Sequence, residues 1–411
     1  MAVTSFKHWL GALLLAVLSF NLASAKVVDP AKDTAQYHKA FPLFRSSNMA
    51  GADKLASGIG FHSFRIPSVV TTSTGRILAF AEGRRHDNRD FGDINLVYKR
   101  TKTATNNGVN PSDWEGLKEV VGSGDGTWGN PTAVVDGTTI YLFLSWNGGE
   151  YSQNGGDVLP NGKRTKGINK SWEGRRHIFL TESRDDGATW SKPVDMTKQL
   201  TPEGKAWDAV GPGNGIVLKS GEIVIPADGR NIIEPRHARQ ADSLAGAGSE
   251  GTIAQTPDGK LYRNDRSPKE HGYRKVARGS LTSLSAFSLD KGLPDPGCEG
   301  STLFYNFKEP KAPSRVVFLN SAHKTSRRHM RVRISYDGDA AKWTYGRSMS
   351  DVPVAGVGNE GGYSSMTKTK DWKIGALVET DFCQTKCDKD DHRAIIWRRF
   401  NLSWIVHGPN N

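Results

Sequence analysis

Ser183-Arg184-Asp185-Asp186-Gly187-Ala188-Thr189-Trp190 has the form S-x-D-x-G-x-T-W. An aspartate caps neighbouring amides and a glycine takes positive φ without penalty, so Asp185 and Gly187 suit a tight turn. Trp190 is then expected to tuck back under the hairpin as a packing plug. The run ahead of it, His177 to Thr181, carries the aromatic and β-branched residues of a strand. The same texture continues on both sides. Pro67 to Thr72 and Arg76 to Ala81 flank Ser73-Thr74-Gly75, and Gly215 to Leu218 and Glu222 to Pro226 flank Lys219-Ser220-Gly221. Both read as hairpins. Ile94 to Tyr98, Thr132 to Val135, Thr139 to Leu144, Ile374 to Val378 and Ala394 to Trp397 add further strands. No helix-period stretch of convincing length interrupts them, so the chain is expected to be all-β.

The 411 residues include 45 glycines, 19 prolines and 11 tryptophans, enough for one large domain or two ordinary ones. Lys7 and His8 precede the apolar run Trp9 to Leu18, which tapers into Ala23-Ser24-Ala25. A basic start, a short apolar stretch and an A-x-A end predict a signal peptide over 1–25, cut after Ala25. The run is too short for a membrane anchor. The expected product is secreted or periplasmic, with no integral membrane association. Residues 26–60 are polar and mixed and read as an irregular lead-in. Cys383 and Cys387 are close enough in sequence to bridge a loop, leaving Cys298 unpaired. C-x-x-x-C without a matching histidine pair is a poor zinc pattern, and no metal is expected. A formal net charge of +12 favours anionic partners: an acidic sugar, a polyanion, or a membrane or wall surface. The basic continuous helix or recognised module of a nucleic-acid reader is missing, so no nucleic acid is expected.

Phe64-Arg65-Ile66-Pro67 sets an arginine between an aromatic and an Ile-Pro step. Proline fixes its own φ and pushes Ile66 towards an extended conformation, which places Arg65 near a strand's start. Its planar five-donor fork is suited to gripping a carboxylate in two places. Downstream, in order, come Asp90-Phe91-Gly92-Asp93, Gly248-Ser249-Glu250, Asn264-Asp265-Arg266, Thr325-Ser326-Arg327, Gly362-Tyr363-Ser364-Ser365-Met366-Thr367 and Leu377-Val378-Glu379. From Phe61 to Trp404 this series resembles the exo-α-sialidase (neuraminidase) family of bacterial and animal type, for which F-R-I-P is the opening signature. The octapeptide at 183–190 resembles the family's Asp box, and Ser335 to Trp343 resembles a degenerate copy one residue too long. The resemblance implies a catalytic six-bladed β-propeller over 61–411. Six blades take about 64 residues each, more than four short strands need, so the extra length is expected in loops.

The resemblance also implies site roles. Arg65, Arg266 and Arg327 would form a triad on the substrate carboxylate, and Tyr363 would be the nucleophile. Glu250 would accept its proton, Asp90 would be the general acid/base, Glu379 would orient Arg65, and Arg84 would lie near the ring substituents. The chemistry of the substrate explains these choices. Sialic acid carries its carboxylate on the anomeric carbon, and three guanidiniums can saturate that group with charge-assisted bonds. Three clustered cations otherwise repel one another, so they imply an anionic guest. A phenol approaches that carbon without the repulsion a carboxylate would meet, and sialidases are the tyrosine exception among glycosidases. With a reference pKa of about 10, the phenol needs a neighbouring base. Asp90 would protonate the leaving oxygen and then deprotonate the incoming water, retaining configuration. The implied activity is hydrolysis of terminal α-linked sialic acids from glycoproteins, glycolipids and oligosaccharides, with no cofactor.

Rivals remain in the sequence. Asp87 and Asp93 share the loop of Asp90, while Arg263, Arg274 and Arg278 surround Arg266 and Arg328 adjoins Arg327. Position within each motif favours the named residue. Lys324, Arg327, Arg328, Arg331 and Arg333 also read as a polyanion patch. A trans-sialidase or intramolecular trans-sialidase would share every residue above, and a non-catalytic sialic-acid-binding propeller would share the fold.

Overall fold

Ile77-Leu78-Ala79-Phe80-Ala81 is apolar at consecutive rather than alternate positions, and the strand it forms is buried on both faces. The structure, a computed structural model, describes residues 34–409 apart from 123, 125, 235–238, 241–243, 307–313 and 381–393. The expected signal peptide, Cys383 and Cys387 lie outside the described residues.

The chain opens with β1 (His38–Arg45). An antiparallel run follows: β2 (Ser63–Thr71), β3 (Ile77–Arg84), β4 (Ile94–Arg100) and β5 (Lys118–Val121). Next come β6 (Gly126–Asp136), β7 (Thr139–Gly148), the short parallel pair β8 (Tyr151–Ser152) and β9 (Lys166–Gly167), β10 (His177–Ser183) and β11 (Val194–Asp195). After helix α1 (Thr197–Leu200) and β12 (Gly213–Asn214) lies a sheet of β13 (Ile216–Val217), β14 (Ile223–Ala227), β15 (Arg230–Glu234) and β16 (Arg239–Gln240). The next sheet is β17 (Gly251–Gln255), β18 (Leu261–Asp265), β19 (Tyr273–Gly279) and β20 (Ser288–Pro294). It is followed by β21 (Gly300–Tyr305), β22 (Arg315–Ser321), β23 (Met330–Ser335) and β24 (Tyr345–Ser348). The last is β25 (Glu360–Lys368), β26 (Ile374–Thr380) and β27 (Ala394–Phe400), ahead of helix α2 (Leu402–Val406).

β1 pairs antiparallel with β27, so the final sheet is built from both ends of the chain. The segment expected to be irregular over 26–60 therefore supplies an edge strand. The innermost strands neighbour one another in the cyclic order β2, β6, β13, β17, β21, β25 and back to β2, the ring of a propeller-like arrangement. The expected count of six blades is corrected. Four sheets are separate four-stranded units, and the strands from β2 to β7 with β10 to β12 form one nine-stranded sheet. The fusion has a single cause, a parallel pair joining Ile94 of β4 to Thr127 of β6.

The octapeptide turn forms as its residues dictate. Asp185 Oδ1 accepts from the Thr189 amide at 2.9 Å and Oδ2 from its hydroxyl at 2.6 Å, while Ser183 Oγ accepts from the Gly187 amide at 2.9 Å. Gly187 has φ 75°, and a Cβ there would sit 2.1 Å from Leu78. Trp190 packs edge-on against Phe80 and Tyr98 at 5.6 and 5.9 Å. Asp337 caps its own turn through the amides of Ala341 (3.1 Å) and Lys342 (2.7 Å), and Trp343 packs against Phe318 and Tyr262.

Candidate active site

The inner strand β2 breaks register with β3 between Arg65 and Ser68, a bulge at the end of the strand nearest the cleft. Ile66 lies in that bulge with φ 58°, so the extended conformation expected before proline is corrected to a left-handed one. For a β-branched residue this costs about 1–3 kcal/mol. The conformation hands the Ile66 amide to Glu379 Oε1 at 2.8 Å, a charge-assisted bond worth about 1.5–3 kcal/mol. Glu379 Oε2 also accepts from the Tyr363 amide (2.9 Å) and Arg65 Nη2 (3.3 Å). One fully buried carboxylate thus sets the backbone of two site strands and one guanidinium. The device recurs nearby. Asn130, also before a proline, has φ 53° and donates its amide to Glu82 Oε1 at 3.0 Å. Glu82 Oε2 in turn holds Arg84 Nε (3.1 Å) and Nη2 (2.6 Å).

Tyr363 stands at the centre, 4% exposed. Its Oη lies 2.5 and 2.6 Å from the two oxygens of Glu250, and Arg266 Nη1 donates to that Oη at 2.8 Å and to Glu250 Oε2 at 2.7 Å. The guanidiniums of Arg65 and Arg327 lie over its ring, 5.2 and 5.4 Å from the centroid. Three arginines from β2, the segment after β18 and the loop before β23 therefore converge on one phenol. Arg327's guanidinium has no hydrogen-bond or ion-pair partner among the described residues. Burial, then the charge of Glu250, pushes the Tyr363 phenol well above its ordinary value, against Arg266 and Arg327. The resting phenol is therefore neutral, with its hydroxyl donating to Glu250.

Asp90 reaches in from its loop. Its Oδ1 pairs with Arg84 Nη2 at 2.7 Å and Arg65 Nη1 at 3.0 Å, while 74% of the side chain stays open to solvent. The walls of the cleft oppose ionisation, but Arg84 and then Arg65 outweigh them and hold the carboxyl well below the usual range. The rivals are placed elsewhere. Asp87 is held by Arg89 (Nε at 2.9 Å), and Asp93 faces Arg85 and His86 at 3.8 and 3.9 Å. Arg263 is buried on Asp265 and the Ala227 and Arg230 carbonyls. Arg274 pairs with Asn264 and Asp295, Arg278 with the Asp339 and Ala340 carbonyls, and Arg328 with His323.

Tyr363, Glu250, Asp90, Arg84 and the three arginines line one chamber of about 530 Å³. Sequence reasoning missed two of its walls. Arg176 is buried, donates to Asn147 Oδ1 (2.7 Å) and Asn130 Oδ1 (3.1 Å), and stacks 4.9 Å from the Trp207 ring. No spacing or local pattern marks either residue. Beneath the floor, Glu299 Oε2 accepts from the Ser364 amide at 2.9 Å, and burial pushes its carboxyl well above the ordinary range. Cys298, Ile66 and Tyr363 pack together, and burial raises the Cys298 thiol to about 12. No group of three or more His, Cys, Asp or Glu able to hold a metal occurs among the described residues, nor does a helix long and apolar enough to cross a membrane.

Comparison with known proteins gives the class, a glycoside hydrolase. Residues 66–241 match the BNR repeat-like domain. The chain is 68% identical to an exo-alpha-sialidase of Aspergillus fumigatus over 97% of its length and 98% of that protein. It is 64% identical to an exo-alpha-sialidase of Arthroderma benhamiae over 98% and 99%. The fold is that of the Hadza microbial sialidase Hz136 (TM-score 0.65, 22% identity), covering 84% of this chain and 66% of that one. The chain belongs to the exo-α-sialidase family.

Proposed function

We propose that this protein hydrolyses terminal α-linked sialic acids from glycoproteins, glycolipids and oligosaccharides, retaining configuration through a covalent bond to Tyr363. The carrying observation is the Tyr363–Glu250–Arg266 contact beneath two further guanidiniums. Arg65, Arg266 and Arg327 receive the sugar's carboxylate, with Glu379 fixing Arg65. The Tyr363 oxygen attacks the anomeric carbon as its proton passes to Glu250, and the bond to the aglycone breaks. Asp90, protonated, delivers its proton to the departing oxygen. Asp90 then takes a proton from water, the water oxygen bonds to the anomeric carbon, and the tyrosyl bond breaks with Glu250 returning the proton. Arg84 and Arg176 face the ring substituents.

Residues 61–411, with β1 added, are read as the catalytic propeller. The closed ring of inner strands supports reading the four four-stranded sheets and the nine-stranded sheet as one propeller-like body. The capped turn at 183–190 supports the Asp-box reading. The pattern of residues 1–25 supports export, to a secreted or periplasmic site of action.

The test is turnover of 3′-sialyllactose followed by NMR. The wild type is expected to release the α-anomer first. Tyr363→Phe is expected to lose at least about a thousandfold in kcat while still binding a sialic acid analogue. Full turnover by that variant contradicts the assignment.

A further inference from the structure

We propose that the wide cleft beyond the arginine triad is a second anion subsite, which selects substrates whose leaving group is itself acidic. The proposal rests on the sialidase reading and extends it to the aglycone. A chamber of about 1400 Å³ shares Arg65, Arg266 and Arg327 with the smaller one and adds Lys269, Lys275 and Arg328 to its wall. None of these three has a carboxylate partner among the described residues. Lys275 Nζ donates to the Gly246 carbonyl at 3.1 Å, Arg328 Nη2 lies 2.8 Å from His323 Nε2, and Lys269 is exposed. Lys205, also on this wall, is spent on Asp228 (3.1 Å) and Asp208 (3.4 Å). Asp228 is the one acid among the residues lining this chamber.

The chamber exceeds the roughly 300–1,000 Å³ of a pocket for one small molecule. It therefore has room for sugar units beyond the one being cleaved. In the substrate the carboxylate and the scissile oxygen share a carbon, so the leaving group begins its path beside the triad. A neutral disaccharide gains nothing from three cations that lack a carboxylate partner along that path. A carboxylate or sulfate on the aglycone does, and the like charges on the wall are relieved when it binds. The recognised chemistry is an anionic sugar: a second sialic acid in an α2-8 linkage, or a sulfated galactose.

The experiment compares kcat/KM for three sialosides with lactose, sulfated lactose or α2-8-linked sialic acid as the leaving group. It uses the wild type and the triple variant Lys269→Gln, Lys275→Gln, Arg328→Gln. The wild type is expected to favour the acidic aglycones, and the variant to lose about fivefold or more of that preference while changing lactoside turnover less than about twofold. Salt at about 1 M, where the Debye length is about 3 Å, is expected to shrink the wild-type preference. A loss confined to the disialoside assigns the subsite to carboxylates, and one confined to the sulfated substrate assigns it to sulfate. A preference unchanged in the variant overturns the subsite alone. No turnover of any sialoside by the wild type overturns the sialidase reading and the subsite with it.

Discussion

In the proposed reaction Asp90 must hold opposite protonation states before and during turnover. In the free site Arg84 and Arg65 keep it ionised, yet the leaving oxygen needs its proton. A substrate carboxylate arriving on Arg65 competes for that guanidinium and adds a negative charge nearby, and both effects raise the Asp90 pKa. Activity needs the protonated form, so it falls as pH rises through the relevant pKa, which is depressed in the free enzyme and higher in the complex. Because kcat/KM reports the free enzyme and kcat the complex, the descending limb of kcat/KM is expected at lower pH than that of kcat, by about one unit or more. Coincident limbs would show that substrate leaves Asp90 untouched. Tyr363, Glu250 and Arg266 each sit in a distinctive short motif, and the structure brings the three into contact. Arg176 and Trp207 carry no such mark, since nothing local distinguishes a buried arginine that lines a cavity from one held in the core such as Arg263.

Turns and bulges position those residues, and the two were not equally readable. The 183–190 turn is local: Asp185 accepts from Thr189 and Ser183 accepts from Gly187 within one octapeptide, so its chemistry is written in sequence. Burial opposes ionisation of Asp185 slightly, but its bonds from Thr189, Ser183 and Ala188 bring its pKa down to about 2. Its folded pKa lies below the unfolded value of about 3.9, so its stabilisation is present above that pH and is lost as pH falls towards the folded value. Asp185→Ala is expected to lower stability by about 1–2 kcal/mol at neutral pH, a modest figure because the carboxylate is exposed, with the deficit shrinking below about pH 3. Calorimetric melts across that range check it, and an unchanged Tm at neutral pH contradicts it. The bulge at Ile66 was misread because pre-proline sterics are a local rule. The residue that overrides them, Glu379, lies 313 positions away.

Across the whole molecule, the site depends on closure. Arg65 comes from the start of the ring, Tyr363 and Glu379 from a sheet completed by β1, and Arg266 and Arg327 from connections in the β17–β20 and β21–β24 sheets. Hairpin texture made the all-β class readable, but β1 went unrecognised because its partner β27 is at the opposite end of the chain. The join between β4 and β6 likewise rests on one long-range pair that no local pattern announces. The central claim is that this convergence serves a covalent sialosyl–tyrosine bond, and the direct measurement is peptide mapping by mass spectrometry after reaction with a 3-fluorosialosyl fluoride, whose fluorine slows breakdown of the intermediate. One fluorosialosyl group is expected on Tyr363 and none on the Tyr363→Phe protein; label on Glu250 or Asp90, or release of the inverted anomer, would contradict the account.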